Sequence, residues 1–218
     1  MTCNPKMTGS GKDAGGSSSS SSSSGNNNER NGTGTNSGSS NGSNGSKSSG
    51  ESGPSENLKA DTTKNNIKFN KARVDEITAE LKKRGYSDVQ IAAALGHWQN
   101  ESGFRLDARA RGDGRDGSDS IGLAQWNSGR ASGLKDYAAK NGLSVNSVEA
   151  QVGWFDYEMN NTEKKAGYMF KNATTVAEAS WAMNNYERFK GYDSSSSGQT
   201  VGRLRNSNTF YEYIKGTS

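Results

Sequence analysis

From Met1 to Asn66 the chain contains no Trp, Tyr or Phe and almost no branched aliphatic side chain, while every aromatic residue falls between Phe69 and Tyr213. That asymmetry decides where a core can form, because a segment without large apolar side chains cannot offset the conformational entropy lost on ordering. Ser, Gly and Asn with scattered charges fill Gly9 to Gly53, including an unbroken serine run from Ser17 to Ser24. Residues 1–66 are therefore predicted to be a disordered tail or flexible linker. The hydrophobic content of 29% understates the remainder, residues 67–218, which at roughly 150 residues is an ordinary size for one domain.

Charge and cysteine usage then remove several function classes. Of the net charge of +4, six basic and five acidic residues lie before Ile67, which leaves 21 basic and 18 acidic residues, or +3, in the rest. This mild basic bias suits an acidic polymer such as a bacterial cell wall. No dense Lys/Arg stripe with interleaved aromatics supports nucleic-acid binding. One cysteine, Cys3, and one histidine, His97, permit no internal disulfide and no Cys/His zinc cluster, which argues against a zinc amidase or peptidase and against Cys/His nucleophilic catalysis. No cofactor or metal is expected. Residues 1–25 hold no apolar stretch of the kind a signal peptide needs, and no apolar run is long enough to span a bilayer, so a soluble protein without a membrane span is expected. Cys3 lacks the hydrophobic stretch that a lipid-anchor signal requires.

Hydrophobic periodicity predicts a mainly α fold. Asn70 caps a helix carrying Val74, Ile77 and Leu81 at helical spacing, with Gly85 stopping it. Ser87 with Gln90 forms a capping-box pattern ahead of Ile91, Ala94, Leu95 and Trp98. Further helices are expected from Ser128 to Asn141, from Ser147 through Val148, Gln151, Val152 and Phe155, from the Thr175/Glu178 capping box through Met183, and over Thr200 to Ile214. Near residues 104–124 the periodicity vanishes into "RLDARARGDGRDGSDSIG", a loop or small β-hairpin, and a long irregular segment inside a domain is often functional.

Glu101 falls on the last turn of the second of these helices, one step of three from Trp98 and so on its apolar face. A carboxyl there has its charged form disfavoured, which raises its pKa and lets it donate a proton near neutrality. Glycosidic cleavage needs such a donor for the leaving oxygen, together with negative charge or a positioned water beside an oxocarbenium-like transition state. The following loop offers Asp113, Asp116 and Asp119, and spacing alone does not choose among them. The same three Asp bear a superficial likeness to a calcium cage, but their spacing misses the alternating pattern of an EF-hand loop.

Two segments in order, "NESGFRLDA" and "DSIGLAQWNSGR", resemble the phage tail lysozymes of the lysozyme-like superfamily, and the likeness extends through "TTVAEASWAMNNYERF", covering roughly Phe69 to Tyr213. The resemblance implies an N-acetylmuramidase, carried on a phage virion, that opens the host wall locally during entry. Its partners would then be bacterial peptidoglycan and, through or near the N-terminal tail, phage tail or other virion proteins. By position, Glu101 matches the general acid, and Ser102 and Gly103 the turn ending its helix. Asp116 is the first choice for the second carboxylate, with Asp119 and Asp113 as alternates. Gly122, Gln125 and Trp126 match the motif lining the sugar cleft, where Gln125 would bond an acetamido group and Trp126 would stack on a sugar ring or pack beneath it. Glu187 matches a later aromatic-Glu pair, with Tyr186 facing the cleft. Ile121 stands where family members often have an aromatic, and "RFKGY" lacks the proline that often follows the pair.

Each assignment has a plainer counterpart: Trp126 as core, Gln125 as a buried structural amide, Glu187 as the holder of a helix end, and His97 as a packed or surface residue. At the level of function, the alternatives are a lytic transglycosylase, which needs no partner Asp, and a non-catalytic wall-binding or tail-structural module.

Overall fold

The structure, a computed structural model, describes residues 53–217. Several of its helices begin where a polar side chain can take an orphan backbone N–H. Asn70 caps α2 (Lys71–Lys83) through Arg73 N at 3.1 Å, and Ser87 with Gln90 closes a capping box on α3 (Asp88–Glu101). Ser147 caps α5 (Val148–Asn160), and Thr175 with Glu178 makes the box that opens α7 (Val176–Glu187). The remaining helices are α1 (Glu56–Ala60), α4 (Ser128–Lys140), α6 (Lys164–Lys171) and α8 (Gly198–Thr217). Between α3 and α4 the irregular segment forms a two-residue antiparallel hairpin, β1 (Arg109–Ala110) with β2 (Ser120–Ile121), in which Arg109 faces Ile121 and Ala110 faces Ser120. The fold is mainly helical, as the periodicity predicts, with this one small sheet among the described residues.

Helix α3 is the centre of the core. Ile91 to Leu95, His97 and Trp98 are all fully buried, and its most extensive packing is against α8 and then α7. The close approach to α8 depends on Gly96, because a Cβ there would stand 2.5 Å from Ser207 N and 2.7 Å from Ser207 Cα. Trp98 meets Phe155 edge to face with ring centroids 5.2 Å apart, and Phe155 meets Tyr186 the same way at 5.1 Å. All four tryptophans are buried: Trp98 and Trp126 almost completely, Trp154 and Trp181 to within a few per cent.

The tail boundary expected at residue 66 is too late. Leu58 of α1 is buried in a small cluster with Ala177, Trp181 and Leu204. Beyond it the chain runs along α8: Arg205 Nε binds Asp61 Oδ2 at 3.1 Å, Asn65 Nδ2 donates to Asn206 Oδ1 at 2.7 Å, and Thr209 Oγ1 donates to Asn65 O at 2.8 Å. Polar side chains and backbone hold this strap, which is why a search for hydrophobic residues passes over it. Residues 1–52, with the rest of the expected tail and Cys3, lie outside the described residues.

Candidate active site

Glu101 is the last residue of α3, with its side chain 21% exposed. Its Oε1 accepts a hydrogen bond of 2.5 Å from an Arg203 guanidinium nitrogen. Arg203 comes from α8, is only 6% exposed at its side chain, and lies over the Phe189 ring at 3.8 Å. On its other side Arg203 Nε stands 3.5 Å from Glu187 Oε2, and His97 Nδ1 is 2.7 Å from the same oxygen. His97 Nε2 reaches Ser180 Oγ at 3.1 Å. An ionised Glu187 only accepts, so Nδ1 then carries the imidazole proton and Nε2 accepts from the Ser180 hydroxyl. Burial holds His97 well below its usual pKa, so the ring is neutral. Burial also pushes Glu187 up to about 7, against the opposing pull of Arg203 and Arg130. Glu101 is raised by its own burial and then by the charge of Glu187, with Arg203 opposing. A carboxyl in this setting retains a proton to higher pH than a free glutamate, as the sequence predicts.

The hairpin-loop aspartates are engaged separately. Asp119 Oδ2 accepts from Arg109 Nε at 2.5 Å and Oδ1 from Gly112 N at 2.9 Å. Asp116 Oδ1 accepts from Ser118 N at 3.1 Å and Ser128 Oγ at 2.9 Å, and these partners hold its pKa down to about 2. Asp113 Oδ2 accepts from Ser120 Oγ at 2.9 Å. The three do not converge on a common centre. A groove of about 520 Å³ runs between the hairpin and α4, lined by Asp107, Arg109, Asp119, Ser128, Lys135 and Asn146 among others. A second, of about 440 Å³, shares Asp107 and Asn146 and is also lined by Gly103, two residues past Glu101, and by Arg105. Asp119 therefore borders the groove, and Asp116 ties the loop to the start of α4.

The segment from Gly122 to Trp126 serves the core rather than an open cleft. Gly122 has φ +71°, and a Cβ there would stand 2.7 Å from Gln151 Oε1. Gln151 is fully buried, accepting from Leu123 N at 2.8 Å and donating to Leu106 O at 2.7 Å and Val145 O at 2.8 Å. Gln125, partly exposed at φ +48°, donates back to Gly122 O at 2.9 Å. Trp126 is 1% exposed, and its indole N–H is 2.8 Å from both Glu158 Oε2 and Tyr186 Oη. Tyr186, with no exposure, donates to Glu158 Oε2 at 2.5 Å, and Arg130 grips Glu158 at 2.7 and 2.9 Å. Burial corrects the expectation that Tyr186 faces the cleft and, of the two expectations for Trp126, leaves packing beneath the cleft and removes stacking on a sugar: both side chains satisfy a buried carboxylate, so their polar tips point inward. Gly122 is buried too, and Glu187, 4% exposed at its side chain, binds Arg203 and His97 rather than a surface ligand.

Compared with known families, residues 72–214 match the family described as phage tail lysozyme. The chain belongs to the phage tail lysozyme family. The match runs from the first turn of α2 almost to the end of α8, so it takes in Glu101, the hairpin and Arg203 while leaving α1 and most of the strap outside. No curated protein matches the chain. Membership in the phage tail lysozyme family points to a lysozyme-like, peptidoglycan-degrading function and to association with the phage tail. Among the described residues, no helix is long and apolar enough to cross a membrane.

Within this phage tail lysozyme domain, sequence reasoning missed Arg203, Arg130 and Glu158, and set His97 aside. A signal was present: Arg203 shares a helical stripe with Ser207, Phe210 and Ile214, and Glu158 follows Trp154 and Phe155 at four and three. A charge on an apolar stripe is paired when it is buried.

Proposed function

We propose that the protein is an N-acetylmuramidase that hydrolyses the β-1,4 bond between N-acetylmuramic acid and N-acetylglucosamine, carried on the virion and opening the host wall during entry. The observation that carries this reading is Glu101, a partly exposed carboxyl ending a buried helix, with one oxygen held by Arg203 and its ionisation opposed by burial. It donates the proton to the leaving oxygen. The loop supplies negative charge for the sugar cation. Asp119 is the better placed of the two aspartates, because it borders the groove, whereas Asp116 holds the start of α4. Arg105, Arg109 and Lys135 along the grooves suit an acidic glycan with peptide carboxylates. One observation favours a second reading, a lytic transglycosylase: each loop aspartate already has its partners, and that chemistry needs only Glu101.

Digestion of purified peptidoglycan followed by mass spectrometry of the soluble fragments decides between them. The wild-type protein is expected to release fragments with reducing muramic ends, and Glu101→Gln to lose about 10²–10⁴-fold of that activity. Anhydromuramic ends would establish the transglycosylase. Release undiminished in Glu101→Gln, or none by either protein, would sink the proposal.

A further inference from the structure

Behind Glu101 lies a row of alternating charge drawn from five helices. Glu101 of α3 meets Arg203 of α8, and Arg203 meets Glu187 of α7. Arg130 of α4 reaches Tyr186 O, beside Glu187 in the chain, at 3.4 Å and binds Glu158 of α5. His97 of α3 and Ser180 of α7 close one side, and Glu163, paired with Arg188, also acts on Arg130. With the Glu163–Arg188 pair balanced on its own, the row holds three carboxyls, Glu101, Glu158 and Glu187, against two guanidinium ions, Arg130 and Arg203, with a neutral imidazole. Glu158 is fully served as an anion, by two Arg130 bonds, the Tyr186 hydroxyl and the Trp126 indole. Glu101 and Glu187 are left to share Arg203, with Arg130 acting on Glu187 only from a distance, and holding both as anions in so buried a place is disfavoured. Glu187 Oε1 and Arg203 Nε, both buried without a hydrogen-bond partner, support this count, since the guanidinium compensates Glu187 only as a loose ion pair at 3.5 Å.

We propose that Arg203 and Glu187 are positioning residues for Glu101: Arg203 fixes one carboxyl oxygen, and Glu187, competing for the same guanidinium, leaves Glu101 too little positive charge to ionise readily. This deepens the muramidase reading and rests on it. Deprotonation of one member makes deprotonation of the other harder, so the pair titrates jointly. When Glu187 becomes neutral, Arg203 belongs to Glu101 alone and the acid surrenders its proton at lower pH.

The test follows the side-chain carboxyl carbons of Glu101 and Glu187 by ¹³C NMR, and the pH dependence of peptidoglycan cleavage. In the wild-type protein both carbons are expected to shift in two steps; single independent steps would overturn the proposal without any variant. In Glu187→Gln, which keeps an acceptor for His97, the Glu101 carbon and the midpoint of the alkaline limb are expected to move to lower pH, and a folded variant with both unmoved overturns the role of Glu187. Arg203→Lys keeps the charge but loses the planar fork, so kcat is expected to fall about 10²-fold with KM little changed; an unaltered kcat overturns the role of Arg203. If Glu101→Gln is inactive while the Glu187 and Arg203 variants behave as wild type, only this inference fails. If Glu101→Gln remains active, the general-acid reading fails instead.

Discussion

Glu101 and Glu158 are the same residue type at the ends of two long helices, handled in opposite ways. Glu158 receives hydrogen bonds from Arg130, Tyr186 and Trp126 and is 1% exposed, so its negative charge is fully compensated. Glu101 receives one bond from a guanidinium that Glu187 also claims, so its charge is compensated only in part. The first arrangement makes an anchor, and the second suits the proton donor proposed above. Replacing Glu158 with Ala would leave the buried Arg130 guanidinium and the Tyr186 hydroxyl without their carboxylate, while the Trp126 indole keeps the Tyr186 oxygen, and the expected cost is about 3–5 kcal/mol, measurable as a lower urea midpoint. Glu101 was legible in the sequence because its distance from Trp98 is fixed by helical periodicity. The inward orientation of Trp126 and Tyr186 was not, since a cleft aromatic and a core aromatic look alike until the partner is known, and theirs, Glu158, lies 32 residues from one and 28 from the other.

At the scale of elements, the position of the acid depends on how closely α3 meets α8. Gly96 makes that approach possible, and Gly96→Ala forces the new methyl against the Ser207 backbone. The expected loss is about 1–3 kcal/mol, seen as a lower melting temperature, accompanied by weaker cleavage because Arg203, four residues before Ser207, would shift with the helix. Helices with a capping side chain and a stripe of several turns, α2, α3, α5 and α7, could be read directly from the sequence. Helix α6 could not: it has eight residues, an internal Gly167 and no side-chain cap at Glu163, so tertiary packing rather than local preference sustains it. Helix α1, at five residues, is shorter still and is held by the burial of Leu58.

For the whole molecule, the chain before α2 is part of the folded body from α1 onward. A protein beginning at Ile67, compared with one beginning at Gly53, loses the Leu58 cluster and the strap bonds from Asp61 and Asn65 to α8. It is expected to melt lower, on the order of 5–10 °C, in a calorimetric scan; equal melting temperatures would show that the strap adds nothing to the fold. Composition located the main core after Phe69 but missed the strap, whose hold is carried by Asp and Asn side chains that are equally common in disordered segments. The burial of all four indoles has an optical consequence. Emission from this protein reports the integrity of its interior, shifting to the red when the core opens, and a bound glycan strand has no exposed indole to quench. On the proposed function, a grip on the wall polymer through the Arg and Lys side chains that line the grooves would be sensitive to ionic strength in a way that an indole stacking platform would not be.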